Sequence, residues 1–225
     1  MQTSLFVAPT RAGDPRAQTR AEELANALSH GLAMLLALAI WPSLAAAAQQ
    51  QSGRAGAIAM AVFCATMVLQ YLASTVYHAL PAGRAKLWAR SIDHAAIFVF
   101  IAGSSTPFTL GTMAGAGGVA TCALVWALAL AGALLKLRRR LTNRRLSTGL
   151  YILLGWLALL AASPGLQSLE PSALWWLLGG GAAYLVGTAF FVFDSALRYG
   201  HFLWHLFVVA GSGCHVCAAV WPALG

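Results

Sequence analysis

The sequence predicts an all-α integral membrane protein. It should form one bundle of seven transmembrane helices, with the N-terminus in the cytoplasm and the C-terminus outside. Three observations carry that expectation. The chain is 60% hydrophobic and only 9% charged, with mean hydropathy +0.73, whereas a soluble domain is about half apolar and about one quarter charged. Its apolar residues come in long unbroken runs, not alternating ones, so the spans are helices and not barrel strands. Its cations fall in every second connection, which sets the orientation.

Taken in order, the runs lie at about 23–48, 55–80, 92–110, 119–135, 147–163, 172–193 and 201–221. Each is close to the ~20 residues that cross the hydrocarbon. Turn-rich or charged stretches separate them, at 49–54, 81–90, 111–118, 136–145, 164–171 and 194–200. Connections this short predict one compact domain over 21–225, preceded by a flexible cytoplasmic tail over 1–20. The tail is polar, with Arg11, Asp14, Pro15, Arg16 and Arg20, and does not read as a cleavable leader. In the third run, Pro107 should bend the helix, with Ser and Thr side chains re-satisfying the freed backbone groups. In the sixth, Gly179–Gly181 and Gly187 should permit close helix contact.

The net charge of +8 could suggest a nucleic-acid partner, but the placement of the cations argues against one. Thirteen of the fourteen Lys and Arg residues lie in the tail and in the second, fourth and sixth connections; the other side has only Arg54. The basic stretch Lys136–Arg145 reads as a topology determinant in contact with lipid headgroups. A multi-pass protein of the cell membrane follows. The four cysteines, Cys64, Cys122, Cys214 and Cys217, all lie in apolar runs and read as small packing residues, not as a disulfide framework. The same reading applies to Cys214-His-Val-Cys217, whose thiols point away from the face described next.

Orientation fixes depth. Ser74 and His78 close the second run, Asp93 and His94 open the third, His201 and His205 open the seventh, and Glu22, Glu23, Asn26 and His30 open the first. All should share the inner leaflet. At about 100° per residue, Gln70, Ser74 and His78 form one stripe, and His201, His205, Ser212 and His215 another. Such stripes should face the bundle interior.

His201-Phe-Leu-Trp-His205 places two imidazoles one turn apart on one helix face, the spacing that lets a helix hold one metal. With His78 as third ligand, the expected centre is a zinc ion with its fourth position open, the arrangement of a catalytic site. Uncharged imidazoles leave the ion its positive charge, which acidifies water at the open position. Asp93 is then the expected general base and Ser74 an orienting or oxyanion donor. Simpler roles compete. Single histidines can sit at the headgroup level, Asp93 can cap a helix, and Glu22 and Glu23 can serve the helix dipole. His94, next to Asp93, is expected to face elsewhere. Glu23, Asn26 and His30 are candidate cavity lining. His215, about 15 Å of rise beyond His205, is too far to share the metal and should line the cavity or bond a neighbouring helix.

These residues make the sequence resemble the haemolysin III family, bacterial relatives of the progestin and adipoQ receptors. The matching pieces are Glu22-Glu-Leu-Ala-Asn-Ala-Leu-Ser-His30, Ser74-Thr-Val-Tyr-His78, Ile92-Asp-His94 leading to Ala102-Gly-Ser-Ser-Thr-Pro107, Gly155-Trp156 and His201-Phe-Leu-Trp-His205. The resemblance implies seven helices and a cytoplasmic-side zinc site on His78, His201 and His205, with Ser74 and Asp93 matching the family's serine and aspartate. It also places the chain near the alkaline ceramidases, in a superfamily proposed to be membrane hydrolases. The leading expectation is a zinc-dependent membrane hydrolase of lipid amide or ester bonds. The rival is a non-enzymatic channel, pore-forming cytolysin or membrane sensor in which zinc is structural. In either case a membrane lipid is the expected substrate or ligand. The polar stripes thin out toward the outer leaflet, which leans against a channel.

Overall fold

The computed structural model of the chain describes residues 16–112, 116–166 and 169–221. Most of the tail read from the sequence, and parts of the third and fifth connections, lie outside them. Every regular element among the described residues is helical: α1 (Arg20–Ala79), α2 (Arg84–Thr106) with a π-helical turn at Pro107–Thr112, α3 (Ala116–Leu137), α4 (Arg144–Leu166), α5 (Pro171–Val192) and α6 (Gly200–Val220). Six are long and apolar enough to cross a membrane.

The first two sequence runs form one 60-residue element. Straight, it would extend about 90 Å, three times the hydrocarbon thickness. It is not straight. Ser52 and Gly53 leave helical geometry, and Gly53 adopts φ 61°, ψ −155°, a region open essentially to glycine alone. The chain reverses there, which is why His78 lies 2.7 Å from Glu23. The 49–54 connection is therefore a break of two residues inside a helical hairpin and not a loop.

The second connection, read as a break over 81–90, is shorter than that. Helix α2 starts at Arg84, so Lys86 and Arg90 project from a helix that runs past the apolar stretch. This overrules the capping role for Asp93, which lies nine residues inside α2. Pro107 does interrupt α2: the backbone widens into the π-helical turn, and the side-chain hydroxyls of Ser104, Ser105, Thr106 and Thr109 each donate to a carbonyl one turn back.

Packing follows bilayer rules. The buried positions are rich in alanine, including Ala59, Ala102, Ala129, Ala173 and Ala218, while leucines such as Leu32, Leu36, Leu153 and Leu160 face outward. Lipid offers no hydrophobic drive between helices, so small residues that let backbones approach are placed inside. Gly103 shows the limit: a Cβ there would overlap the side chain of Thr66 on α1. Gly180 and Gly187 serve the same end, lying against His215 and against Trp204 and Phe207 of α6, whereas Gly179 and Gly181 face open space. One apolar core joins the α1 hairpin to α6, and a second joins α2, α3 and α4. Helices α4 and α5 scarcely touch, and a cavity lies between them.

Candidate metal centre

His78 ends the second arm of α1, and His201 and His205 occupy the first two turns of α6. Their ring centroids form a triangle with sides of 5.0, 5.1 and 4.8 Å. One ring nitrogen from each lies within 4.8 Å of the others, a group able to hold a metal ion. His78 and His205 are sealed at 3% and 2% exposure, and the His201 side chain at 11%. Tetrahedral zinc needs these nitrogens about 3.4 Å apart, given Zn–N bonds of about 2.0–2.1 Å, a separation inside that 4.8 Å bound.

The donor chemistry fits a metal. The Nδ1 atoms of His78 and His201 face the Glu23 and Asp194 carboxylates at 2.7 and 2.8 Å. Nδ1 of His205 faces the Asn26 carbonyl at 3.2 Å, with the Ser29 hydroxyl oxygen 3.0 Å away. Carboxylates and carbonyls only accept, so each Nδ1 is placed to carry a proton, and in the uncharged imidazole Nε2 then keeps its lone pair. That is the outer arrangement that holds ligating histidines in place. The Nε2 of His78 is buried with no hydrogen-bond partner among the described residues, a costly state for a polar atom that a metal ion would relieve.

Cations brace the two carboxylates. Lys86 pairs with Glu23 at 3.0 Å and also donates to the Tyr77 and Leu80 carbonyls that end the first hairpin. Arg144, at the start of α4, pairs with Asp194 at 2.8 Å and lies over the Phe191 ring. Burial acts to raise the Asp194 carboxyl, but the hydrogen bonds from His201 and Arg144 outweigh it and hold it below the ordinary aspartate range. Glu22 forms a capping box with Thr19, binds Arg16 through both oxygens, and accepts from the Tyr199 backbone. It thereby ties residues 16–19, assigned to the tail from sequence, to the turn that carries Asp194.

The remaining expected residues line the neighbouring cavity of about 400 Å³. Asp93 and Ser74 share its wall with His30, His201 and His205. Asp93 accepts from Gln70 at 3.2 Å, and the Ser74 hydroxyl is sealed without a geometric partner. His30 stacks flat on His205 at 3.7 Å. His94 departs from expectation: it faces this same cavity, because the cavity is wide enough to take two adjacent positions of α2. His215 lines the far end, edge-on to Tyr184 and Phe108. The wall between is mostly apolar. Trp156, Leu178 and Leu185 belong both to it and to the lipid-facing exterior. Cys214 and Cys217 are free thiols apart from the centre.

A family model described as haemolysin-III related matches residues 18–216. The chain belongs to the haemolysin III family. The Hemolysin-3 homolog of Bacillus subtilis (strain 168) is 36% identical over 191 residues, covering 85% of this chain and 89% of that protein. Hemolysin-3 of Bacillus cereus is 35% identical over 191 residues, covering 85% and 87%. No solved structure matches the chain. This haemolysin III chain is therefore a multi-pass protein of the cell membrane, and the matched region contains every residue of the histidine centre.

Sequence reasoning missed Asp194, Ser29 and the bracing cations. For Asp194 there was a signal. The chain has only six acidic residues, and one that sits in a short connection seven residues before a candidate ligand calls for an explanation. Replacing Asp194 with Asn should weaken metal binding about 10–100-fold, the usual loss when an outer partner of a ligating histidine goes. Competition with a chromophoric chelator measures it, and unchanged affinity would mean that the Asp194–His201 contact does not tune the site.

Proposed function

We propose that this haemolysin III chain is a zinc-dependent membrane hydrolase that cleaves an amide or ester bond of a lipid. The observation that carries the reading is the meeting of three imidazoles, each with Nε2 free, at one end of an apolar cavity that also bears Asp93. A soft-to-borderline cation that accepts nitrogen ligands in a tetrahedral set suits them, and zinc is the common choice. Bound there, zinc would supply Lewis acidity toward a carbonyl and make water easier to deprotonate.

The chain's own groups do the rest. Asp93, held by Gln70, accepts the proton of the attacking water and later returns it to the departing heteroatom. Ser74, whose hydroxyl is sealed beside the Asp93 carboxylate, serves to orient that group. The gap between α4 and α5 admits an acyl chain from the bilayer. Its apolar walls exclude water from the tail, while the histidines receive the scissile bond. Counting the two arms of α1 separately gives seven spans. The crowding of Arg16, Lys86 and Arg144 at the histidine end supports a cytoplasmic centre, by the rule that cations stay inside.

The names of the bacterial relatives favour a second reading, a cytolytic pore. A pore needs a polar path through both leaflets, and the mostly apolar wall between the histidine end and His215 weighs against one. Lipidomics on membranes incubated with the wild-type chain and with His201→Ala tests the proposal. One lipid class should fall, and its hydrolysis products rise, only with wild type. Identical lipid profiles, together with ion leakage from liposomes that survives zinc removal, would give the pore reading the lead.

A further inference from the structure

The proposed chemistry uses four groups on the cavity wall and leaves one polar group beside them unassigned. His94 lies one residue beyond Asp93. Its ring stands nearly perpendicular to Phe191 at 6.4 Å, and that same phenyl ring also packs against His201 at 5.7 Å. The imidazole is thus one aromatic ring away from the metal centre. Its backbone carbonyl accepts from Tyr151 at 2.9 Å, which anchors the helix turn, while neither ring nitrogen has a hydrogen-bond partner among the described residues.

That freedom sets His94 apart from the hydroxyls and the other uncoordinated histidines of the wall. The hydroxyls of Ser104, Ser105, Thr148, Tyr151, Tyr184 and Thr188 are spent on internal hydrogen bonds. The Ser74 hydroxyl and the ring nitrogens of His30 and His215 are sealed off, the Leu177 carbonyl lying near His215 but outside hydrogen-bond geometry. The His94 nitrogens are not among those sealed atoms. A polar side chain inside a mostly apolar cavity, with both nitrogens open to it, is poised for a ligand: the few placed polar groups of such a pocket fix orientation and specificity.

An uncharged imidazole offers one N–H donor and one lone pair. Its natural complement is a group that also donates and accepts, a hydroxyl. We propose that His94 hydrogen-bonds a hydroxyl in the head of a single-chain lipid whose tail fills the cavity between α4 and α5. The contact rests on the lipid-binding part of the proposed function and adds to it the head-group chemistry: lipids carrying a free hydroxyl near the scissile bond are selected over those without one.

The test is equilibrium binding to the purified, zinc-loaded full chain of two radiolabelled, hydrolysis-resistant ether lipids with the same tail, 1-O-dodecylglycerol and methyl dodecyl ether. Wild type should prefer 1-O-dodecylglycerol. His94→Phe should lower that affinity about three- to tenfold, the range expected for one hydrogen bond, and leave methyl dodecyl ether binding unchanged. His94→Gln, which keeps a donor and an acceptor, should recover part of the preference. Zinc stoichiometry in both variants should match wild type, which separates a lost contact from a collapsed site. No preference in wild type, an equal loss for both lipids, or no loss in His94→Phe would each overturn the proposal. Binding is read without turnover, so the two ideas fail separately. Selective binding with no hydrolysis of any lipid removes the hydrolase and keeps the contact, whereas hydrolysis with no selectivity removes the contact alone.

Discussion

His205→Ala should empty the metal centre. The ring is 2% exposed, forms one corner of the three-imidazole triangle and is stacked face to face on His30. His30 is not part of the group able to hold the ion; its ring lies parallel to that of His205 at 3.7 Å, behind the triangle's corner and not at it. Affinity should fall by more than the ~100-fold that losing an outer partner can cause, so purified protein should carry far less than one zinc per chain by elemental analysis. His215→Ala is the matched control. It removes a buried imidazole from the same helix about 15 Å further on and should leave zinc at wild-type stoichiometry. Circular dichroism on both variants guards against simple unfolding. Full zinc retention in His205→Ala would remove the site described here, and with it the proposed chemistry.

Asp93→Asn should separate binding from chemistry. Asp93 coordinates nothing in the triangle; it is buried on the cavity wall and accepts from Gln70. Asparagine keeps an oxygen acceptor for that bond and nearly the same volume, so the fold and the zinc content should survive. What it lacks is a basic oxygen. Loss of a positioned general base costs about 10²–10⁴-fold in rate, and release of fatty acid from the lipid class identified by lipidomics should drop by that much. Wild-type turnover in Asp93→Asn would exclude Asp93 as the base and direct attention to Glu23 or Asp194. Coincident loss of zinc would give Asp93 a structural role instead. The Asp194→Asn variant supplies the contrasting pattern, weaker zinc with chemistry intact once the site is saturated.

Much of this protein was legible in one dimension because the bilayer imposes a coarse and demanding code. Continuous apolar runs can only be helices, and the distribution of Lys and Arg divides the connections into two classes. His201 and His205 share a face because α-helical geometry makes residues four apart neighbours, and His78 could be matched to them by depth. Those inferences need only the length of a span and the pitch of a helix.

What the sequence could not supply is rotation and reach. Depth says that His94 and Asp93 share a leaflet; only the packing of α2 against a wide cavity decides that both face inward. The break at Ser52–Gly53 looked like a loop because a two-residue reversal and a six-residue turn have the same polar composition. The bracing of Glu23 by Lys86 and of Asp194 by Arg144 was hidden because long cationic side chains at a membrane face are equally at home among headgroups, and the choice depends on where a neighbouring helix ends. Composition and periodicity thus determined a helical membrane protein with histidines gathered at one end. The tertiary structure alone decided which nitrogens are tied, which are free and which face the cavity, because those depend on distances between segments that are remote in the chain.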